Sequence, residues 1–407
     1  MAADSAVTIG ARHNRGRERV WKTTNKLFSL SPENDIAIMI YGTGDFCGVP
    51  WETIIKLFAQ QKNVRFSTVE KCKDEFLDFV RSFSIRDPEI EQINSYLLLI
   101  GVVEDVASKG LGSASKTDAK KKISKYISKF SDNLDEDPVW YEGDDFQEFS
   151  SKYSGIILEV FRDGVEFTPS KALCDRVERL CWKIFCRMYS SGFETGIVFG
   201  GFGSDEYFPC MSSVIVDGKS EFGLRSWGLQ RAIEMDTWID SSAYIRPFAQ
   251  GDIAHLFIEG IDEGYLEFMN TTILGALRKK TQDVIKSYVS EEDKLVEENK
   301  QERENIAALE SIMNDFRDLR RKSIVDPMLS VVKNLPKEDM AAMAESLVEI
   351  TSLRRKMDSD VESVAGPVDV VVISKGDGLI WMKRKHYFDM ENNSDFSQRR
   401  KARRRND

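Results

Sequence analysis

Long apolar runs are missing from this sequence. No uninterrupted apolar stretch approaches the roughly 20 residues that a membrane-spanning helix needs, so we expect no membrane segment. The N-terminus also shows no positively charged segment followed by an apolar one, and secretion is therefore not indicated. These two absences argue against an integral membrane protein and against a typical secreted protein.

Metal and disulfide motifs are missing as well. The six cysteines form no C-x-x-C pair, and three of them fall within residues 174–186, where they are interpreted as small core residues of a helix. The three histidines, His13, His255 and His386, have no i,i+4 partner and no carboxylate at a spacing typical of metal ligands. We expect no metal site and a reducing, cytoplasmic compartment.

The glycine-rich segments do not match nucleotide-binding motifs. Gly200-Gly201-Phe202-Gly203 lacks the spacing of a dinucleotide fingerprint, and Asp217-Gly218-Lys219-Ser220 lacks the upstream glycine of a phosphate loop. The sequence therefore predicts no cofactor.

What is present is a large acidic chain with a basic end. The 407 residues are 42% hydrophobic, which suffices for a substantial core, and the net charge of −10 argues against general nucleic-acid binding. The exception is the C-terminal run Gln398–Arg405. Its segment Arg399–Arg405 can attract a polyanion such as nucleic acid, but a solvated tail is the favoured interpretation, because a charged patch alone specifies no partner.

The pattern of elements predicts an α+β fold in which helices flank two stacked antiparallel β-sheets, with helical insertions. Strands, helices, strands, helices and strands follow one another without regular βαβ alternation. We divide the chain into a first part of the core at 1–65, a helical insertion at 66–165, a core continuation of helix, central hairpin and helix at 166–280, a charged helical insertion at 281–335, the last helix and closing strands at 336–390, and a basic disordered tail at 391–407.

Two local patterns yield sharper predictions. The strand starting at Met211 is expected to end in a turn at Asp217-Gly218. The helix after Pro336 is expected to face inward with the stripe Met340, Met343, Leu347 and Ile350.

Several segments, in this order, resemble proteasome β-type subunits and their bacterial relatives, which are N-terminal-nucleophile (Ntn) hydrolases. The matching segments cover a third to a half of the chain: Ala2–Ser5, Asn25–Leu30, Ile36–Gly42, Thr195–Gly218, Ala249–Ala254 and Glu338–Trp381. The resemblance implies the αββα sandwich of that family. It also implies a peptide or protein substrate and a homo-oligomer.

The resemblance implies three catalytic positions. In this family the first residue, a Thr, Ser or Cys, attacks the amide carbonyl, and its own α-amino group acts as the base. Lys26 matches the lysine that favours the nucleophilic form, and Asp4 matches the aspartate that holds this lysine. Gly42 falls where a backbone N–H contributes to the oxyanion hole. A structural ion pair between neighbouring strands would also explain Asp4 and Lys26.

The chain departs from the family pattern at its start. The nucleophile belongs one strand before Asp4, and the sequence begins at Met1, so the chain as written is expected to be inactive. Val361 and Val364 also occupy the best-aligned positions of the supporting acid and serine. Two explanations stay open: a start codon assigned too far downstream, or a non-catalytic scaffold or interaction protein with the Ntn fold.

Overall fold

The computed structural model describes residues 1–9, 19–21, 24–30, 34–61, 65–83, 88–234, 243–249, 251–290, 293–357, 366–386, 388–389, 391–393 and 395. The chain divides into two compact units, the first formed by Met1–Thr23, Met235–Val372 and Trp381–Asp407 and the second by Thr24–Glu234 and Ile373–Ile380. The protein belongs to the α+β class, with antiparallel sheets and many helices.

The strands and helices follow in chain order. The first unit opens with β1 (Ala2–Ala3), β2 (Val7–Ile9) and β3 (Arg19–Trp21). The second unit contains β4 (Leu27–Ser29), β5 (Asp35–Gly42), β6 (Asp45–Phe46), β7 (Val49–Pro50), α1 (Trp51–Gln61), α2 (Val69–Ser82), α3 (Pro88–Glu91), α4 (Ile93–Ser108), α5 (Lys116–Asn133), α6 (Phe146–Asp163), α7 (Lys171–Phe185), β8 (Thr195–Phe202), β9 (Cys210–Ser220) and β10 (Gly223–Glu234).

The chain then returns to the first unit with α8 (Asp252–Glu259), α9 (Glu263–Tyr288), α10 (Lys294–Arg320), α11 (Asp326–Val332) and α12 (Lys337–Met357). A π-helical turn at Arg321–Val325 joins α10 to α11. The closing strands are β11 (Asp369–Ser374) and β12 (Gly378–Lys383). Among the described residues, no helix combines the length and the apolar composition required to cross a membrane.

A five-stranded sheet organises the second unit, in the order β10-β9-β8-β5-β4. The nearly continuous apolar runs of β5 and β8 explain their inner positions, because a strand covered on both faces has no polar face to present. These two strands pair antiparallel over eight residue pairs, from Asp35–Phe202 to Gly42–Thr195. The buried side chains of α1 and α2 join those of the sheet in one apolar core.

The helices α4 to α7 form a second core in the same unit. Their amphipathic sequences bury one stripe each, and side-chain oxygens of Ser115 and Ser170 cap the starts of α5 and α7. All six cysteines of the chain are free thiols and are buried.

A smaller sheet has the order β1-β11-β12, and the residues that pair β1 with β11 belong to the first unit. Ala2 pairs with Val370 and Ala3 with Asp369, antiparallel. The buried residues Ala341, Val368 and Val370 place the inner face of α12 against β11.

The predicted turn at Asp217-Gly218 is wrong. Strand β9 continues through both residues to Ser220. It pairs along its length with β10, a strand that is not predicted from the sequence. The Asp217 side chain is fully buried, where it accepts hydrogen bonds from Ser191 and lies 3.3 Å from Arg225. These tertiary contacts hold a turn-type dipeptide in the strand.

The predicted inward face of α12 is wrong for Met340 and Ile350, whereas Met343 and Leu347 are half-buried. Met340 and Ile350 are 39% and 46% exposed, whereas Ala341 and Thr351 are buried. The helix is thus rotated by about one residue from the prediction, because small side chains allow a closer approach to the sheet.

Candidate active site

Two of the three predicted catalytic residues lie in the second unit, at the same end of the five-stranded sheet. Lys26 directly precedes β4, and its carbonyl oxygen accepts a hydrogen bond from the backbone N–H of Ile40 at 2.8 Å. Gly42 ends β5, two residues beyond Ile40. The structure therefore brings the backbone of Lys26 close to that of Gly42, on neighbouring segments of the sheet.

The backbone N–H of Gly42 points toward the Lys26 segment. In a strand, successive N–H groups point to opposite sides, so residues 40 and 42 direct theirs the same way. Ile40 donates to Lys26 on that side, whereas Thr43 donates to Glu194 on the other at 3.1 Å. The Gly42 N–H thus lies one step along β5 beyond the Ile40 N–H, which donates to Lys26.

Glycine is required at position 42 for two reasons. Its φ angle is +83°, in the left-handed region that side chains disfavour. A Cβ atom at this position would also lie 2.5 Å from the carbonyl oxygen of Glu194, a backbone atom that cannot move aside freely. This combination favours glycine where β5 ends and the chain leaves the sheet.

A buried hydrogen-bond chain holds the turn that follows Gly42. The indole N–H of Trp51 donates to the Thr195 hydroxyl at 2.9 Å, and this hydroxyl donates to the carbonyl oxygen of Thr43 at 2.7 Å. The backbone N–H of Trp51 donates to the carbonyl oxygen of Gly44 at 3.1 Å. Because Trp51 and Thr195 are almost fully buried, the polar atoms of this turn are held by protein rather than by water.

The segment that carries Lys26 is tied to helix α1. The Asn25 amide nitrogen lies 3.2 Å from both carboxylate oxygens of Glu52, near the start of that helix. Glu52 also pairs with Lys56 one turn later. Lys26 itself is half-buried. Helix α1 is therefore linked to the segments beside both predicted positions: Trp51 bonds to Gly44 after Gly42, and Glu52 bonds to Asn25 before Lys26.

Asp4 belongs to the first unit. It is half-buried, and its carboxylate accepts a hydrogen bond from the backbone N–H of Ala6 at 2.9 Å. The neighbouring Ser5 is fully buried and donates to the carbonyl oxygen of Pro367. The predicted interaction of Asp4 with Lys26 stays a prediction.

Some predicted features fall outside the described residues. These include His13, residues 358–365 with the positions matched to the supporting acid and serine, and the basic run Gln398–Arg405. Within the described residues, no group of three or more His, Cys, Asp or Glu side chains is arranged to hold a metal ion.

The second unit contains a buried ion pair that the sequence does not predict. Arg225 and Asp217 are both fully buried, and the guanidinium also donates to the carbonyl oxygens of Phe185 and Tyr189 at 2.6 and 2.9 Å. Burial raises the pKa of Asp217 to about 6, although Arg225 and Ser191 act in the opposite direction. No local pattern reveals this pair, since each residue alone is typical of a surface strand.

The chemical capacity of the site follows from its geometry. A backbone N–H that the strand alternation directs toward the lysine-bearing segment favours negative charge at this end of the sheet. No protein-family model, curated protein or solved structure matches the chain.

Proposed function

We propose that this protein is an Ntn-type amide hydrolase, most simply a peptidase. The observation that carries the proposal is the direction of the Gly42 N–H toward the segment of Lys26. A rigid N–H donor that is held in place before the reaction is what an oxyanion hole requires. The antiparallel sheets and their helices support an αββα sandwich as the fold in the same proposal.

In the proposed mechanism a Thr, Ser or Cys placed one strand before Asp4 is the N-terminal residue. Its hydroxyl or thiol attacks the amide carbonyl, and its α-amino group takes the proton and passes it to the leaving amine. The ammonium group of Lys26 favours the anionic nucleophile, and the Gly42 N–H stabilises the oxyanion of the tetrahedral intermediate. Water then hydrolyses the ester or thioester, which releases the acid and regenerates the nucleophile.

Fluorogenic peptide amides test this function with protein that carries its native N-terminal residue. We expect hydrolysis that Lys26→Ala lowers by at least about 100-fold, the size of effect seen when one electrostatic group of a catalytic site is removed. Lys279→Ala is the matched control, because Lys279 is an exposed lysine of α9 in the first unit. Activity that survives Lys26→Ala would refute the role given to Lys26.

A non-catalytic Ntn-fold scaffold is the second candidate. The observation that favours it is the low burial of three long helices: α9 and α10 bury one residue each, and α12 buries two. Such helices offer surface for partners. A stop codon directly upstream of Met1, together with no hydrolysis by the native protein, would favour this candidate over the hydrolase.

A further inference from the structure

The tip of the β11–β12 hairpin, Ile373–Ile380, belongs to the second unit, although the chain reaches it from the first unit and returns there afterwards. None of the residues in this tip is buried, and its turn residues Lys375 and Asp377 are exposed. A segment with so little burial depends largely on polar contacts to stay in place.

The ammonium group of Lys375 supplies such contacts. It donates hydrogen bonds to the carbonyl oxygens of Gly203, Ser204 and Glu206 at 2.7, 3.1 and 2.5 Å. These three residues lie in the loop 203–206 of the second unit, directly after β8. An ammonium group has three N–H donors, so the loop provides one acceptor for each of them.

The loop 203–206 is held in shape by contacts that do not involve Lys375. The carboxylate of Glu206 accepts hydrogen bonds from the backbone N–H groups of Gly203 at 2.6 Å and Val69 at 3.1 Å. Two further backbone hydrogen bonds tie the loop to the segment before α2. A Cβ atom on Gly203 would lie 2.1 Å from the carbonyl oxygen of Ser67, so the backbone passes too close for any other residue. The second unit thus positions these carbonyl oxygens independently of the ammonium group.

We propose that the loop 203–206 is a binding site for a primary ammonium group, and that Lys375 fills this site as a latch for the hairpin tip. Within the described part of the chain, the hydrogen bonds between tip and loop all come from this one ammonium group. A change that removes its positive charge, such as acylation of the amine, therefore releases the tip. This inference does not depend on the proposed enzymatic function.

A nitroxide spin label on Gly376→Cys in the full chain reports whether the tip is docked. Gly376 has open space around it, and all six native cysteines are buried, so the label attaches to the new thiol. Electron paramagnetic resonance then separates the immobilised fraction of the label from the mobile one.

Lys375→Met keeps an unbranched side chain but removes the charge. We expect it to lower the ratio of docked to released tip by about tenfold, as the loss of charge-assisted hydrogen bonds implies. Lys125→Met is the matched control, because Lys125 is an exposed lysine of α5 in the second unit, and it should leave the ratio unchanged. A tip that is as immobile in Lys375→Met as in this control would overturn the proposal.

A second variant tests whether the loop 203–206 is the site. Glu206→Ala removes the carboxylate that holds the loop, so it should also release the tip. In the double variant with Lys375→Met it should cause no further release, because both substitutions act on one contact. Circular dichroism of each variant verifies that it is folded. Additive losses in the double variant would overturn the assignment of the site to this loop.

Discussion

Helices α7 and α9 differ sharply in how much they bury. Helix α7, in the second unit, buries eight of its 15 residues, whereas α9, in the first unit, buries one of 26. Burial of apolar side chains is the main stabilising contribution to a helix in a protein, so α7 is held by tertiary packing and α9 mainly by its own helical hydrogen bonds and its contacts with α10. The second unit thus depends on its own cores, and the long helices of the first unit keep surface available.

The largest effect that would sharpen this contrast comes from a matched pair of phenylalanines. Phe76 is fully buried among Trp51, Phe58 and Phe199, whereas Phe268 on α9 is 67% exposed. We expect Phe76→Ala to lower the free energy of unfolding by about 3–5 kcal/mol, and Phe268→Ala by less than about 0.5 kcal/mol. Urea denaturation measures both. Equal losses would break the comparison between the two units.

The next largest expected effect is the pH dependence of stability that the buried Asp217 causes. Its pKa is raised to about 6 in the folded protein, above the value of about 3.9 of an unfolded aspartate. The folded state therefore binds more protons between these values, and stability must fall as the pH rises through this window. The loss should reach on the order of 3 kcal/mol and level off above about pH 7.

Asp217→Asn isolates this contribution, because the amide does not titrate. Stability of the unsubstituted protein relative to this variant, measured by denaturation at a series of pH values, should decline with rising pH. A flat or rising difference would show that burial does not control the titration of Asp217.

The smallest expected change in unfolding free energy comes from a pair of threonine substitutions. Thr195→Val leaves the buried indole N–H of Trp51 without its acceptor, which should cost about 1–3 kcal/mol of unfolding free energy. Thr271→Val on α9 removes an exposed hydroxyl that donates to the carbonyl oxygen of Glu267 in its own helix, and it should cost less than about 0.5 kcal/mol. Thermal unfolding compares the two. Similar losses would show that the Trp51–Thr195 hydrogen bond does not stabilise the turn after Gly42.

The sequence predicts the inner strands of the second unit well. The runs Ile36–Gly42 and Thr195–Phe202 are almost entirely apolar or glycine, a composition that favours strands covered on both faces, and the structure has strands over Asp35–Gly42 and Thr195–Phe202. It predicts α12 but not its orientation. Two stripes on this helix are apolar or small, and periodicity alone favours the larger side chains, whereas packing on β11 selects the smaller ones.

In the candidate site too, the sequence predicts local relations but not contacts between distant residues. The predicted positions Lys26 and Gly42 lie close together because a short hairpin joins β4 to β5, which is a local relation that sequence order can reveal. The hydrogen bond between Trp51 and Thr195 joins residues 144 positions apart. Only the completed sheet brings these two side chains together, so no local pattern predicts their contact.

The N-terminal residue of the native protein tests the central proposal most directly. Mass spectrometry and N-terminal sequencing of protein from its natural host identify this residue. The hydrolase account predicts a Thr, Ser or Cys at the start of one additional strand that precedes Asp4. A native chain that starts at Met1 or Ala2 would contradict it.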